Sequence, residues 1–178
     1  MKLSPVITAL RTYCPRFEHR IGGAAEYITA LECTHLELPS AYVVPNGSSV
    51  GEQRSQTDYW QGLTDQFSVI VILNNTDKRG QYASCDLIDE VRSEIWRAIL
   101  GWTPDPAYGA IEYADDECLD VNPNELIWQF HFKVETEINA EDTRHYADLN
   151  HLPDLHTVAI DVNAASSNAQ SPLEINLK

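Results

Sequence analysis

Hydrophobic and polar positions alternate along this chain with two different periods, and the periods delimit its elements. Near the start, Val6, Ile7, Leu10 and Tyr13 recur at helical spacing behind Ser4 and Pro5, and Pro15 closes the segment. Ser4 supplies a capping hydroxyl, and Pro5 needs no backbone donor in the first turn. Ile21-Gly22-Gly23 reads as a bend and Ala24–Leu31 as a short helix. Ala41–Val44 reads as a strand ended by Pro45-Asn46-Gly47, and the polar residues 47–57 as a loop. Asp58–Asn75 is a long strand with Tyr59, Leu63, Phe67, Val69, Val71 and Leu73 on one face. Its last part, Val69–Leu73, is apolar on both faces, as a covered central strand is.

The strongest helical stripe is Leu87, Ile88, Val91, Ile95, Ala98 and Ile99, which predicts a helix over 81–100. Gly101 follows at the left-handed cap position, and Pro104 prevents continuation. Strict alternation of Leu126, Trp128, Phe130, Phe132, Val134 and Ile138 with polar partners predicts a strand over 125–139. Asn122-Pro123-Asn124 turns it back to a shorter strand around Cys118–Val121. The texture changes after Asn139. Residues 140–154 are polar and His-rich, 155–162 has the character of one late strand, and 163–178 is Ala/Ser/Asn-rich and reads as a flexible end. The expected fold is α+β, a mostly antiparallel sheet with two or three packed helices over residues 1–139. A C-terminal extension follows over 140–178.

Length and charge narrow the function classes. The chain has 178 residues and a formal net charge of −15. Residues 1–98 carry 9 basic and 12 acidic side chains, whereas 99–178 carry 3 and 15, so the acidity is concentrated in the second half. Phosphate binding needs clustered cations, and the one adjacent pair is Lys78-Arg79. Sequence-specific nucleic-acid binding and docking on an anionic membrane are both disfavoured. The first residues lack a signal-peptide core, which predicts a protein that stays in the cytosol where it is made. Cys14, Cys33, Cys85 and Cys118 are scattered and read as buried thiols.

Candidate chemistry is sparse. Gly47-Ser48-Ser49-Val50-Gly51 matches G-x-S-x-G, yet a nucleophile elbow requires a helix directly after the serine, and residues 52–58 show no apolar helical stripe. A small hydrolase using Ser49 is therefore the competing reading, not the preferred one. Asp120–Asn124 begins like a calcium loop, but Glu125 and His131 stand where glycine and a bidentate Glu belong. Among the histidines, His145, His151 and His156 sit in the polar extension and His131 on the polar side of a strand, none at helical metal-ligand spacing. No catalytic, metal or cofactor site is expected. Aromatic surface says more. Trp60 falls opposite the Tyr59 face, and Trp96 and Trp102 lie beside or beyond the apolar stripe of their helix. Apolar surface beyond one core's needs, together with a long strand edge on 58–75, points to burial against another subunit through Tyr59, Trp60, Trp96 and Trp102.

The ordered segments Ser4-Pro5-Val6-Ile7, Arg20–Glu26, Leu38–Pro45, the strand Asp65–Asn74 and the helix end Glu94–Trp102 together resemble the tail terminator (tail completion) proteins of long-tailed bacteriophages. The resemblance covers roughly residues 1–138. It implies a virion protein forming a ring, usually of six copies, on the head-proximal end of the tail tube. Such a ring stops tube polymerisation and meets the head–tail connector, and genome DNA passes through it without specific binding. The alternative within the class is another connector or minor tail protein. A DNA-passing lumen should repel phosphate, so Asp115, Asp116 and Glu117 are expected to face it.

Overall fold

The computed structural model describes residues 1–32, 36–56, 58–75, 82–152, 157–160 and 173–176. It divides into two units, Met1–Asn139 and Ala140–Lys178.

The first unit is a five-stranded sheet carrying helices on both faces. Helix α1 (Ser4–Tyr13) buries Val6 and Leu10, while Tyr13 is exposed. Its cap position belongs to Leu3, and no side chain caps it, so Ser4 starts the helix without serving as its cap. A 3-10 turn at Pro15–Phe17 leads through left-handed Glu18 and His19 into β1 (Ile21–Gly23). The expected bend at Ile21-Gly22-Gly23 is thus a short strand. A Cβ on Gly22 would meet the Glu26 Cβ at 2.7 Å and the Tyr42 ring at 3.3 Å, so only glycine fits there. Helix α2 (Ala24–Glu32) follows at once.

The long strands β2 (Ser40–Gln53) and β3 (Trp60–Asn74) precede α3 (Tyr82–Ile99), which is followed by the hairpin β4 (Glu112–Val121) and β5 (Glu125–Asn139). The sheet order is β1-β2-β3-β5-β4, and only β1–β2 is parallel. Two expectations change here. Residues 47–53 are no loop: β2 passes through Pro45-Asn46-Gly47 by a bulge, with Gly47 at φ 102°, and continues as strand. And β3 offers no spare edge, because β2 pairs along one side and β5 along the other, from Trp60 to Asn74. Among the described residues the open edges belong to β2 beyond Val43 and to β4.

The core explains the layering. Alternate residues Phe67, Val69, Val71 and Leu73 meet Phe130, Phe132, the α1 residues Val6 and Leu10, and the α3 residues Ile88, Val91, Ile95 and Ile99. On the opposite face Tyr42, Ile70, Ile72 and Ile127 pack with Ala30 of α2. Each such aliphatic side chain contributes roughly 1.5–3 kcal/mol by leaving water. Arg16 ties the 3-10 turn to α3 through Glu90 at 2.8 Å and Glu94 at 2.9 Å. Gly101, at φ 74°, stops α3 as its sequence position predicts, and its N–H donates to the Ile111 carbonyl. The Asn122 side chain accepts from the N–H groups of Asn124 and Glu125 and so closes the predicted β4–β5 turn, although β4 begins earlier than expected.

In the second unit a 3-10 turn (Ala140–Asp142) precedes α4 (Arg144–Leu149), whose first turn is capped by the Thr143 hydroxyl accepting from the Tyr146 N–H. Strand β6 (Thr157–Ile160) pairs antiparallel with β7 (Leu173–Asn176). The Lys78-Arg79 pair, Cys33, His35, His156 and the side chain of Cys85 lie outside the described residues.

Candidate functional site

The four aromatic candidates separate into two sets. Tyr59, Trp60 and Trp102 are 39%, 41% and 37% exposed, large apolar areas for a chain to leave in water. Tyr59 and Trp60 stand at the start of β3, where the Arg54 guanidinium lies 5.4 Å from the Trp60 ring centre and the Tyr59 hydroxyl donates to Gln61 at 2.6 Å. Trp102 follows the end of α3, and its carbonyl accepts from the Ile111 N–H. Trp96 differs: it is half-buried against the core, edge-on to Tyr113 at 5.0 Å with Arg92 over its ring. Its surface is largely used inside the subunit.

The acidic run on β4 also splits. A bulge at Ala114 shifts the alternation, so Asp115 pairs with His131 and Asp116 with Phe130. Asp116 therefore turns toward α3. It accepts from Arg92 at 3.2 Å and from the Tyr113 hydroxyl, and burial together with this bond raises the Tyr113 phenol well above its usual range. Asp115 and Glu117 project from the other face, largely exposed, 3.8 Å and 3.4 Å from the His131 Nε2. Of the three acids expected to share a surface, two do so.

Two polar clusters were not visible in the sequence pattern, because their members come from different strands. Ser68, fully buried, meets His131 Nδ1 at 2.9 Å and accepts from Gln129 at 2.8 Å; Asn46 donates to Ser68 as well. A hollow of about 380 Å³ beside them is lined by Asn46, Gln66, Asp115, His131 and Lys133. On the opposite face Asp65 accepts from the Ser48 hydroxyl at 2.5 Å, the Tyr108 hydroxyl at 3.0 Å and the terminal ammonium of Met1. Burial pushes the Asp65 carboxyl up, but these donors outweigh it and hold it below the ordinary carboxylate range. The buried Cys14 thiol is pushed up to about 11 by burial and by Glu94. Cys118, by contrast, is exposed, against the expectation of four buried thiols.

Ser49 lies in mid-strand, paired with Thr64, and β2 continues to Gln53 with no helix after it. The strained strand–helix turn that exposes a nucleophilic serine is not formed there. Among the described residues no three His, Cys, Asp or Glu side chains are grouped as a metal site requires, and no helix is long and apolar enough to cross a membrane.

Residues 1–143 match the model of the family described as phage tail terminator protein. The chain belongs to that family. It is a structural protein of phage tails, and the family match covers the whole of its α+β unit, Met1–Asn139, and four residues beyond. Among solved structures this tail terminator is similar to a chain in the virion of a native gene transfer agent particle, at 12% identity and a TM-score of 0.42. The match covers 76% of this chain and 86% of that one. No curated protein matches the terminator chain.

Proposed function

We propose that this protein forms a ring, six copies being the number the family resemblance implies, on the head-proximal end of the tail tube. It is made in the host cytoplasm and joins the particle there. The ring stops tube polymerisation and supplies the surface that meets the head–tail connector. The family match over residues 1–143 carries this reading, and the aromatic surface at Tyr59, Trp60 and Trp102 supports it, since a fold that leaves such area bare gains from covering it with a neighbour. Asp115 and Glu117 line the lumen and repel the phosphates of passing DNA, whereas the Asp116 charge is offset by Arg92 and faces α3.

The deciding experiment is electron microscopy of lysates in which this reading frame is stopped early. Over-long tails not joined to heads are expected. Tails of normal length joined to full heads would overturn the terminator function. Asp115→Lys with Glu117→Lys should slow DNA ejection in assembled particles, and unchanged ejection would remove the lumen assignment.

A further inference from the structure

The sheet of the first unit ends in two open edges of opposite character. β1 covers β2 only along Ala41–Val43, and from Val44 to Gln53 no described strand pairs with the outer side of β2. At the other end β4 pairs, among the described strands, with β5 alone. An unpaired edge offers a row of backbone donors and acceptors, which proteins usually guard with charge or cover with chain. β4 is guarded by Glu112, Asp115, Asp116, Glu117 and Asp120, so two β4 edges set side by side would oppose carboxylate to carboxylate. The open stretch of β2 carries no charge from Val44 to Gly51, and Val50 stands 54% exposed on it.

We propose that the open edge of β2 in one copy pairs with the outer edge of β4 in the next, joining copies head to tail into one continuous sheet. The inference rests on the ring reading above and names the surface that builds the ring. Strand direction favours it. β2, β3, β5 and β4 run alternately up and down, so a neighbour set beside β4 in the same orientation presents its β2 antiparallel, the slightly more stable pairing. Length favours it too, for β4 has 10 residues and Val44–Gln53 spans the same run. Charge selects the partner, because the acidic edge rejects a second copy of itself, whereas the β2 stretch is uncharged from Val44 to Gly51 and carries the single acid Glu52 near its end. Leu119 and Val121, 42% and 60% exposed on β4, give Val50 apolar company.

The two edges are not level. Through β5, strand β4 lies across from Gln66–Leu73 of β3, whereas the open part of β2 lies across from Gln61–Ser68. Neighbours therefore meet with a stagger along the strands, and stagger with tilt is what a sheet needs to close on itself. A heterologous contact of this kind gives a ring when its rotation closes.

The test uses the full chain and the exposed native thiol Cys118 on β4 as reporter. Cysteine is placed singly at Asn46, Ser48, Ser49 or Val50, and each variant is oxidised mildly, alone and co-expressed with the tube protein. Antiparallel pairing brings one of these positions within disulfide reach, Cα atoms about 4.4–6.8 Å apart. The expected result is a ladder of covalent multimers that disappears with Cys118→Ser. Val50→Asp, which sets a carboxylate against the acidic edge, should weaken assembly at least about tenfold, while Val50→Lys should retain it. Rings that form in every variant with no cross-link and no effect of Val50→Asp would overturn the edge pairing and leave the ring reading standing. Covalent dimers that persist without Cys118, and that Cys118→Ser without the added cysteine does not form, would overturn it in favour of β2–β2 contact. A wild-type chain that never oligomerises, even with the tube protein, would overturn both.

Discussion

The two ends of the same long strands live under different physical rules. At one end Ser40–Val43 and Phe67–Leu73 are buried, with α1 and α3 above and α2 below. At the other, Pro45–Gln53 are exposed and Trp60–Thr64 exposed or half-buried, yet the β3–β5 ladder runs on unbroken and β2 stays paired with β3 past the bulge at Pro45-Asn46-Gly47. Hydrogen-bonded pairing thus continues where the hydrophobic core stops. A bare two-stranded ribbon is marginal in water, so this end draws its order from the covered end and from β5 beside it. Because little of its surface is committed to packing, its side chains are available to meet other chains.

The sharpest way to break that comparison is to cut one residue from each end. Phe130 is fully buried, and Phe130→Ala should cost about 3–5 kcal/mol in urea unfolding of the whole chain. Val50→Ala at the bare end should cost less than about 0.5 kcal/mol. Equal losses would mean that the distal strands share the core's burden, contrary to their exposure.

Asp65 sits at the border between the two ends and tests how they are joined. Asp65→Asn weakens its bonds with Ser48, Tyr108 and the terminal ammonium, and should cost about 1–3 kcal/mol at neutral pH. The sign with pH comes from its lowered titration. The folded chain holds the Asp65 proton more weakly than the unfolded chain, whose carboxyl titrates near ~3.9. Its contribution is therefore whole above that value and is lost as pH falls through the lower, folded one. Urea midpoints measured from pH 7 downward should fall more steeply in the wild type than in Asp65→Asn. Parallel curves would show that Asp65 does not couple the two ends.

The covered end is the legible one, and the reason is periodicity. Ile88, Val91, Ile95 and Ile99 or Leu126, Phe130 and Val134 repeat because one face meets a core, and that repetition identifies α3 and β5. Ser48–Gln53 reads as a loop because neither face is buried, so no apolar alternation marks it as strand. β1 is three residues long with two glycines, too short for any period. The acidic run misleads for another reason: the bulge at Ala114 reverses the parity of the residues after it, so Asp116 faces α3 while Asp115 and Glu117 face away. His131 reads as a lone surface histidine until the pairing of β3 with β5 brings Ser68 beside it. Surface candidates such as Trp60 and Trp102 are legible from composition, whereas the edge they accompany requires the strand order.

The polar cluster around that histidine sharpens the comparison on a smaller scale. Ser68→Ala removes the hydroxyl shared by Asn46, Gln129 and His131 within an otherwise buried strand. The expected loss is about 1–2 kcal/mol, smaller than at Phe130 because the space is conserved and only hydrogen bonds are lost. A loss comparable with Phe130→Ala would place the network among the main supports of the covered end.

Trp60 should show the smallest effect on folding and the clearest separation between folding and assembly. Its ring is 41% exposed and its ring contact is with Arg54, itself on the bare end. An exposed cation–π contact is worth about 0.5–1 kcal/mol. Trp60→Ala should therefore move the urea midpoint of the isolated chain little, while reducing the fraction of tails joined to heads in a complementation assay. Trp96→Ala reverses the pattern, because that ring packs on Tyr113 and the core, and its loss should register first in unfolding. If Trp60→Ala unfolded the chain as readily as Trp96→Ala, the bare end would be part of the folding unit's support. If it altered neither stability nor joining, the tryptophan would be idle surface, and the argument from exposed aromatic area would have to rest on Tyr59 and Trp102 alone.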